Sequence, residues 1–208
     1  MVGTRNTEAL RARRRAAILD AIHAALVDAA RDGDTYAELP VDRFIAAAGV
    51  SRSTFYTYFA DKDELLQQLA ERALDAALLA ARHWYTLPPR ATKADVHDAL
   101  GRVVDTYAEH HVVLVAVSEA SARSADATKS FELLMDRSTE ALAAYVRRGQ
   151  EERFIDAALD PEPTAAWLMW MSEGGLARLV STAGPEDRTR LHAALTDIFW
   201  RGLRMGGG

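Results

Sequence analysis

Residues 41–62, VDRFIAAAGVSRSTFYTYFADK, constrain this chain more than any other stretch. A run of helix formers stops at Gly49, and a serine two positions later opens a second run. Glycine is the residue that most readily takes the left-handed conformation that ends a helix. A serine at a helix start accepts a hydrogen bond from the open N–H two or three residues on. Phe55, Tyr58 and Phe59 recur at i, i+3 and i+4, so they share one face and bury it together. The spacing predicts a helix over about 41–48, a tight turn at Gly49 and a second short helix opened by Ser51. Ala60-Asp61 then breaks the chain, and Asp61 with Glu64 three positions later has the pattern of a capping box.

The rest of the chain reads as helices. Ile18, Ile22, Leu26 and Ala29 recur at helical spacing over about 8–30, behind the basic tract RARRR at 11–15. RDGD at 31–34 ends that helix, and Pro40 suits the first turn of the next. A helix over about 62–84 leads to LPPR at 87–90, the clearest linker. Further helices are expected at about 93–109, 111–123, 127–152, 161–183 and 187–204, and no convincing strand appears. The helix over 161–183 is apolar nearly all round and carries Gly174-Gly175 in its middle. In the last helix Leu191, Leu195 and Ile198 share one face, with Trp200 opposite. The fold class is all-α, with a first domain at 8–60 and a larger one at 61–208.

Composition excludes several function classes. The 208 residues contain no cysteine, which rules out disulfides, thiol catalysis and cysteine-ligated zinc and suits a reducing cytoplasm. No stretch approaches the roughly 20 apolar residues of a membrane span, and the basic start lacks the apolar core of a signal peptide. His23, His83, His97, His110, His111 and His192 form no recognised metal-ligand spacing, so no metal is expected. No phosphate-binding glycine loop and no nucleophile elbow is present, so neither catalytic residues nor cofactors are expected. The net charge of −5 is uneven: residues 1–15 carry five arginines against one glutamate, while residues 63–208 carry 16 basic and 22 acidic side chains. An acidic body with a basic tip is compatible with nucleic acid held at the tip alone.

A DNA major groove about 12 Å wide admits one helix, read by the side chains at that helix's beginning. Arg52, Ser53, Thr54, Tyr56 and Thr57 can point outward while Phe55 and Phe59 anchor the back. A guanidinium takes guanine O6 and N7 as a bidentate pair, which makes Arg52 the sharpest candidate for base reading. Hydroxyls at Ser53, Thr54 and Thr57 suit phosphates or single base atoms, and Tyr56 can lie on a thymine methyl. Lys62 can neutralise a phosphate beside the N-terminal amides of its helix. The plainer reading is a helical hairpin with a polar face. For the arginine tract the alternatives are phosphate or minor-groove contact and a solvated helix start. Arginines at a helix start oppose the macrodipole, which favours an anionic partner.

AAAGVSRSTFYTYFADKDELL resembles the DNA-binding signature of the tetracycline-repressor (TetR) family of bacterial regulators. The resemblance runs without a gap through Gly49, Val50, Ser51, Thr54, Phe55, Tyr56, Phe59, Lys62 and Leu65. Within the family, SRSTFYTYF and the tryptophan-rich late helix look most like the ethionamide-regulator branch. The resemblance implies a three-helix helix-turn-helix DNA-binding domain followed by a larger helical ligand-binding and dimerisation domain. It implies a homodimer on a palindromic double-stranded operator, acting as a repressor and released by a small, mostly apolar ligand. By matching position, Ser51 falls within the DNA-binding turn. Arg52, Ser53, Thr54 and Tyr56 take base-edge roles, and Thr57, Tyr58 and Lys62 phosphate roles, with Arg43 joining from the first motif helix. One departure is Ile45, where the family has a small residue four before the turn glycine. Trp84, Tyr107, Phe131, Met135, Trp167, Trp170 and Met171 are candidates for a ligand pocket. Taken alone, such residues make ordinary core; given the family, some line a pocket. The other class of function is a helical small-molecule-binding or scaffold protein that never meets DNA.

Overall fold

The structure, a computed structural model, describes residues 2–121 and 125–203; the side chains of 2–6, 118, 120–121, 125–131 and 133–134 lie outside that description. The described residues form α1 (Val2–Arg31), α2 (Val41–Ala48), α3 (Arg52–Tyr58), α4 (Lys62–Tyr85), α5 (Lys93–Ser121), α6 (Ala125–Glu151), α7 (Pro161–Gly175) and α8 (Pro185–Leu203). A π-helical turn, Leu176–Val180, follows α7 directly. The all-α expectation holds.

Two expected boundaries differ. The sequence suggests a break near 110, but α5 runs unbroken to Ser121. Nothing between 103 and 121 is a glycine or proline, so no residue there forces the helix to stop. The helix expected over 161–183 instead widens into the π turn just after Gly174-Gly175. Glycines weaken a helix, and π turns occur where the regular ladder gives way.

The chain divides into two compact units. Unit 1 comprises the described residues of Met1–Ala73 and Val112–Ala127; unit 2 those of Leu74–His111 and Thr128–Gly208. Unit 1 buries Ile18, Ile22 and Leu26 of α1 with Phe44 of α2, Phe55 of α3, Phe59, and Leu65 and Leu69 of α4. Val113 and Ala116 of α5 complete this core. Tyr36 stacks on Phe44 with ring centroids 5.4 Å apart.

Unit 2 is built round Trp84, whose ring lies 4.9 Å from Tyr145 and 5.0 Å from Phe199. Val96, Leu100, Leu142, Val146, Phe154 and Ile155 fill in around them. A smaller cluster joins Val104 to Leu176 and Val180 of the π turn. On α8 the face is shifted from that expected: Phe199 and Leu203 are buried, Leu191, Leu195 and Trp200 half-buried, and Ile198 exposed.

The turn after α6 is tight. Gly149 accepts backbone bonds from Phe154 and Ile155 at 2.8 and 3.0 Å, and Arg153 sits at φ 60°, in left-handed space. A side chain there costs roughly 1–2 kcal/mol in backbone strain. Arg153→Gly is expected to stabilise the fold by about 0.5–1 kcal/mol, since relief of that strain exceeds glycine's greater unfolded entropy. A Cβ at Gly149 would lie 2.5 Å from Ile155 Cδ1, and Ile155 is buried. Gly149→Ala is therefore expected to destabilise by about 1–3 kcal/mol. Chemical denaturation of both variants checks the two signs, and a Gly149→Ala protein as stable as the parent would contradict the packing described.

Candidate nucleic-acid interface

The turn between α2 and α3 forms as the residue types dictate. Gly49 takes φ 61°, and its N–H and that of Val50 return to the carbonyls of Ala46 and Ile45 at 3.1 and 3.4 Å. Ser51 caps α3 from an extended backbone, with Oγ accepting from the Thr54 N–H at 3.1 Å. Ile45, the departure from the family pattern, is half-buried against the unit 1 core.

Phe55 and Phe59 are fully buried behind α3, their centroids 5.1 Å apart. Burying each contributes roughly 1.5–3 kcal/mol, far more than a helix of one to two turns supplies by itself. The opposite face is polar and open. Ser51, Arg52, Ser53, Tyr56 and Thr57 are exposed, and Thr54 is half-buried at the rim. The Ser51 hydroxyl lies 3.0 Å from Ser53 Oγ and 2.8 Å from Thr54 Oγ1, a small hydroxyl cluster at the head of the helix. Thr57 donates to the Ser53 carbonyl at 2.9 Å. Tyr56 stands edge-on to Phe55 and is 44% exposed.

Arg52 and Arg43 are both exposed. The Arg52 guanidinium lies 3.2 Å from Asp42 on α2, with both side chains largely in solvent. Such an exposed pair contributes about 0–1 kcal/mol, so Asp42 orients the guanidinium without locking it. Asp42 as this partner was not foreseen from the sequence, since the two positions are ten apart and meet only when α3 folds back past the glycine turn.

Two candidates face inward. Tyr58 is half-buried, with the Arg11 guanidinium 5.8 Å from its ring centroid. Lys62 donates to the carbonyls of Ala37 and Leu39 at 2.9 and 2.8 Å and stands 4.7 Å over the Tyr36 ring. Desolvation lowers its pKa, with Asp63 opposing. Two of its three N–H donors hold the entry to α2, which leaves one for a phosphate.

The pocket candidates of unit 2 scatter. Trp84 is in the aromatic cluster, where Trp84, Val96, Tyr145, Ile155, Phe199, Trp200 and Leu203 enclose only about 10 Å³, room for one water. Phe154 and Phe199 were not foreseen as its neighbours. Tyr107 is half-buried beside the π turn, and burial, then Glu173, pushes its pKa up to about 12. Glu173 is raised in turn by desolvation, with Arg178 pulling the other way. Met135 is buried on α6. Trp167, Trp170 and Met171 lie on the surface, Trp167 at 79% exposure, so they do not share an enclosed wall with Trp84. The side chain of Phe131 lies outside the described residues. Among the described residues no group of three potential ligands converges on a metal site, and no helix is long and apolar enough to cross a membrane.

A short helix set behind a glycine turn, open on its hydroxyl and arginine face and buried on its phenylalanine face, defines a helix-turn-helix DNA-binding protein. Residues 34–69 match the family model described as bacterial regulatory proteins, tetR family. The HTH-type transcriptional regulator EthR of Mycobacterium tuberculosis and Mycobacterium bovis is 26% identical over 172 residues, 78% of this chain and 79% of that protein. A TetR transcription regulator from Haloarcula marismortui has the same fold, with TM-score 0.75 and 18% identity over 93% of this chain and all of that one. A putative transcriptional regulator from Saccharomonospora viridis, crystallised in complex with choline, has TM-score 0.71 and 18% identity over 94% and 100% of the two chains. The TetR-family regulator PfmR of Thermus thermophilus has TM-score 0.68 and 21% identity over 88% and 98%. Over residues 34–69 the chain carries the DNA-binding segment of the TetR family, and over most of its length it is similar to regulators of transcription.

Removing the Arg52 guanidinium is expected to abolish base discrimination at one position of each half-site, a loss of about 1–3 kcal/mol, with helix content unchanged. Asp42→Asn, which removes a negative charge beside the groove, is expected to tighten binding to all duplexes by about threefold at low salt. Fluorescence anisotropy against a duplex the protein itself selects from a random library reads both. Wild-type discrimination in Arg52→Ala would show that Arg52 is not a base reader.

Proposed function

We propose that the protein is a cytoplasmic homodimeric repressor, similar in kind to the ethionamide regulator, that holds a palindromic operator until a small, mostly apolar ligand releases it. Residues 8–60 serve as its DNA-reading domain and 61–208 as its ligand-binding and dimerisation domain. The carrying observation is α3 itself, whose polar face is open while its apolar face is buried. Arg52, Ser53, Thr54 and Tyr56 read base edges; Arg43, Ser51, Thr57, Tyr58 and the third donor of Lys62 meet phosphates or sugars.

One α3 reads one half-site, so a palindrome needs two copies spaced by one turn of DNA, about 34–36 Å. The face that supports pairing is on α7, the π turn and α8. Trp167, Trp170 and Met171 fall at i, i+3 and i+4, and Trp167, Trp170, Leu179 and Ile198 are 79, 52, 55 and 46% exposed. Single apolar residues on a surface are ordinary, but several large ones on neighbouring elements favour a partner. A Cβ added to Gly174 or Gly175 would touch nothing within 4 Å in the same chain, so packing within one copy does not require either glycine. Bare glycines on this face leave room for close approach of a second copy.

Release rests on the helical body. Moving a two-state equilibrium from 99:1 to 1:99 takes about 5.5 kcal/mol of differential binding. A ligand burying roughly 200 Å² more apolar surface in one state supplies about 5 kcal/mol. The 10 Å³ among the aromatic side chains round Trp84 admits no such molecule, so entry there requires those rings to repack. Tyr107, Met135 and the polar end of Glu173 offer further contacts, and Phe131 belongs to the same candidate set.

The function is tested by selecting duplexes from a random library. Enrichment of a palindrome, with affinity that falls steeply with salt, supports it. Absent or salt-insensitive binding would favour a helical small-molecule-binding or scaffold protein. Trp167→Glu combined with Trp170→Glu is expected to sediment as a monomer, keep its helix content and bind the palindrome at least about a hundredfold more weakly. A dimer that survives both substitutions would place the interface elsewhere.

A further inference from the structure

A helix of seven residues takes its pose from whatever holds its ends. The head of α3 is held by Ser51. At its other end the backbone leaves the helix at Phe59, with φ −138° and ψ 118°, and leaves polar groups to satisfy. Three of these are met by side chains from other helices. Arg11 of α1 donates to the Thr57 carbonyl at 3.4 Å, Gln68 of α4 to the Tyr58 carbonyl at 3.5 Å, and Glu64 of α4 accepts from the Ala60 N–H at 2.7 Å.

Gln68 joins these bonds. Its Oε1 accepts from Arg15 Nε at 2.6 Å, and its Nε2 donates to Glu64 Oε1 at 3.1 Å. At 5% exposure it is one of three buried polar or charged residues among those described, and the other two are hydroxyls. A buried polar side chain persists where its bonds are made. An amide suits this place because it offers an acceptor to a cation and a donor to an anion at once. A carboxylate there would meet Glu64 at i, i+4 with like charge, and an alkyl group would strip partners from both neighbours.

We infer that Gln68 is a positioning residue for DNA reading: it joins Arg15 of α1 to Glu64 and so fastens the exit of the recognition helix to both α1 and α4. The assignment rests on the DNA-binding function. Gln68 makes no contact with DNA and acts through the pose of α3. The arginine tract is thereby divided. Arg11 and Arg15, four residues apart, hold the reading helix, whereas Arg13 and Arg14 face solvent.

The test compares affinities for a duplex selected by the wild-type protein and for a scrambled duplex of equal length. Gln68→Glu is expected to lower the ratio of the two by about tenfold or more. Adding Glu64→Gln is expected to restore part of that ratio, since the bonds to Arg15 and to position 64 are remade while the donor to the Tyr58 carbonyl stays lost. In the double variant the carboxylate now at position 68 accepts from Arg15 and from the amide now at position 64. The carbonyl oxygen of that amide accepts from Ala60, so total charge and shape are conserved and only the weak 3.5 Å bond to the Tyr58 carbonyl is not remade. A role in packing alone would not respond to this exchange, because glutamate and glutamine are isosteric. If Gln68→Glu fails to fold, Arg15→Met removes the outer partner, and the same fall in the ratio is expected. A wild-type ratio in the single variants, or a double variant no better than Gln68→Glu, overturns the assignment. If the wild-type protein prefers no selected duplex, the DNA-reading function falls and this assignment falls with it. If selection succeeds and the variants read DNA like the parent, only the role of Gln68 is lost.

Discussion

A seven-residue helix does not hold itself in water, since the first turn of any helix fixes more dihedral angles than its hydrogen bonds repay. Burial of Phe55 and Phe59 against α1, α2 and α4 is what gives α3 a defined place. The same burial fixes which side chains face out, because a helix that buries one stripe must present the other. Ser51, Arg52, Ser53 and Tyr56 are surface residues for that reason, and the exposed polar face is a by-product of the core behind it. A polar residue at 55 or 59 would leave α3 without its anchor and its exposed side chains without a frame.

Around that apolar anchor lies a set of polar fastenings, each closing a backbone group in a turn or at a helix end. Tyr36 donates to the Lys62 carbonyl at 2.6 Å while Lys62 returns to Ala37 and Leu39, which ties the start of α4 to the entry of α2. Glu64 closes the exit of α3. The capping box expected at Asp61 forms with one change: Asp61 accepts from the Glu64 N–H at 2.8 Å, but the Glu64 carboxylate reaches back to Ala60. The first two turns of α4 therefore grip the motif at both of its ends.

Most of unit 1 was legible from residue types at fixed spacings. Gly49, Ser51, Phe55 and Phe59 act locally, within a turn or two, and local physics is what a sequence shows most directly. The roles of Tyr58, Lys62 and Arg15 were less visible. Each is a long side chain with an apolar stem and a polar head, and such chains turn inward or outward according to neighbours distant in sequence. Arg15 and Gln68 are 53 positions apart, and no spacing rule links them. The four-residue separation of Arg11 and Arg15 was the available signal, and it speaks to a shared face without saying what that face meets. In unit 2 the sequence supplied helix content and the aromatic inventory, not their sorting. Trp84 and Trp167 have the same chemistry, yet one is 4% and the other 79% exposed. The difference is set by where α6 and α8 place Tyr145 and Phe199, which is a tertiary matter.

By itself, the sequence determined that the chain is helical, that Gly49 turns it, that Ser51 starts α3 and that a hydroxyl and arginine face opposes a phenylalanine face. These follow from backbone preferences and from a 3.6-residue period, both of which act over a few residues. Only the tertiary structure decided that Asp42 meets Arg52, that Lys62 turns inward, that Gln68 bridges two helices and that Trp84 is core while Trp167 is surface. Such contacts join residues far apart in the chain, and they exist only once the packed helices bring them within a few ångströms.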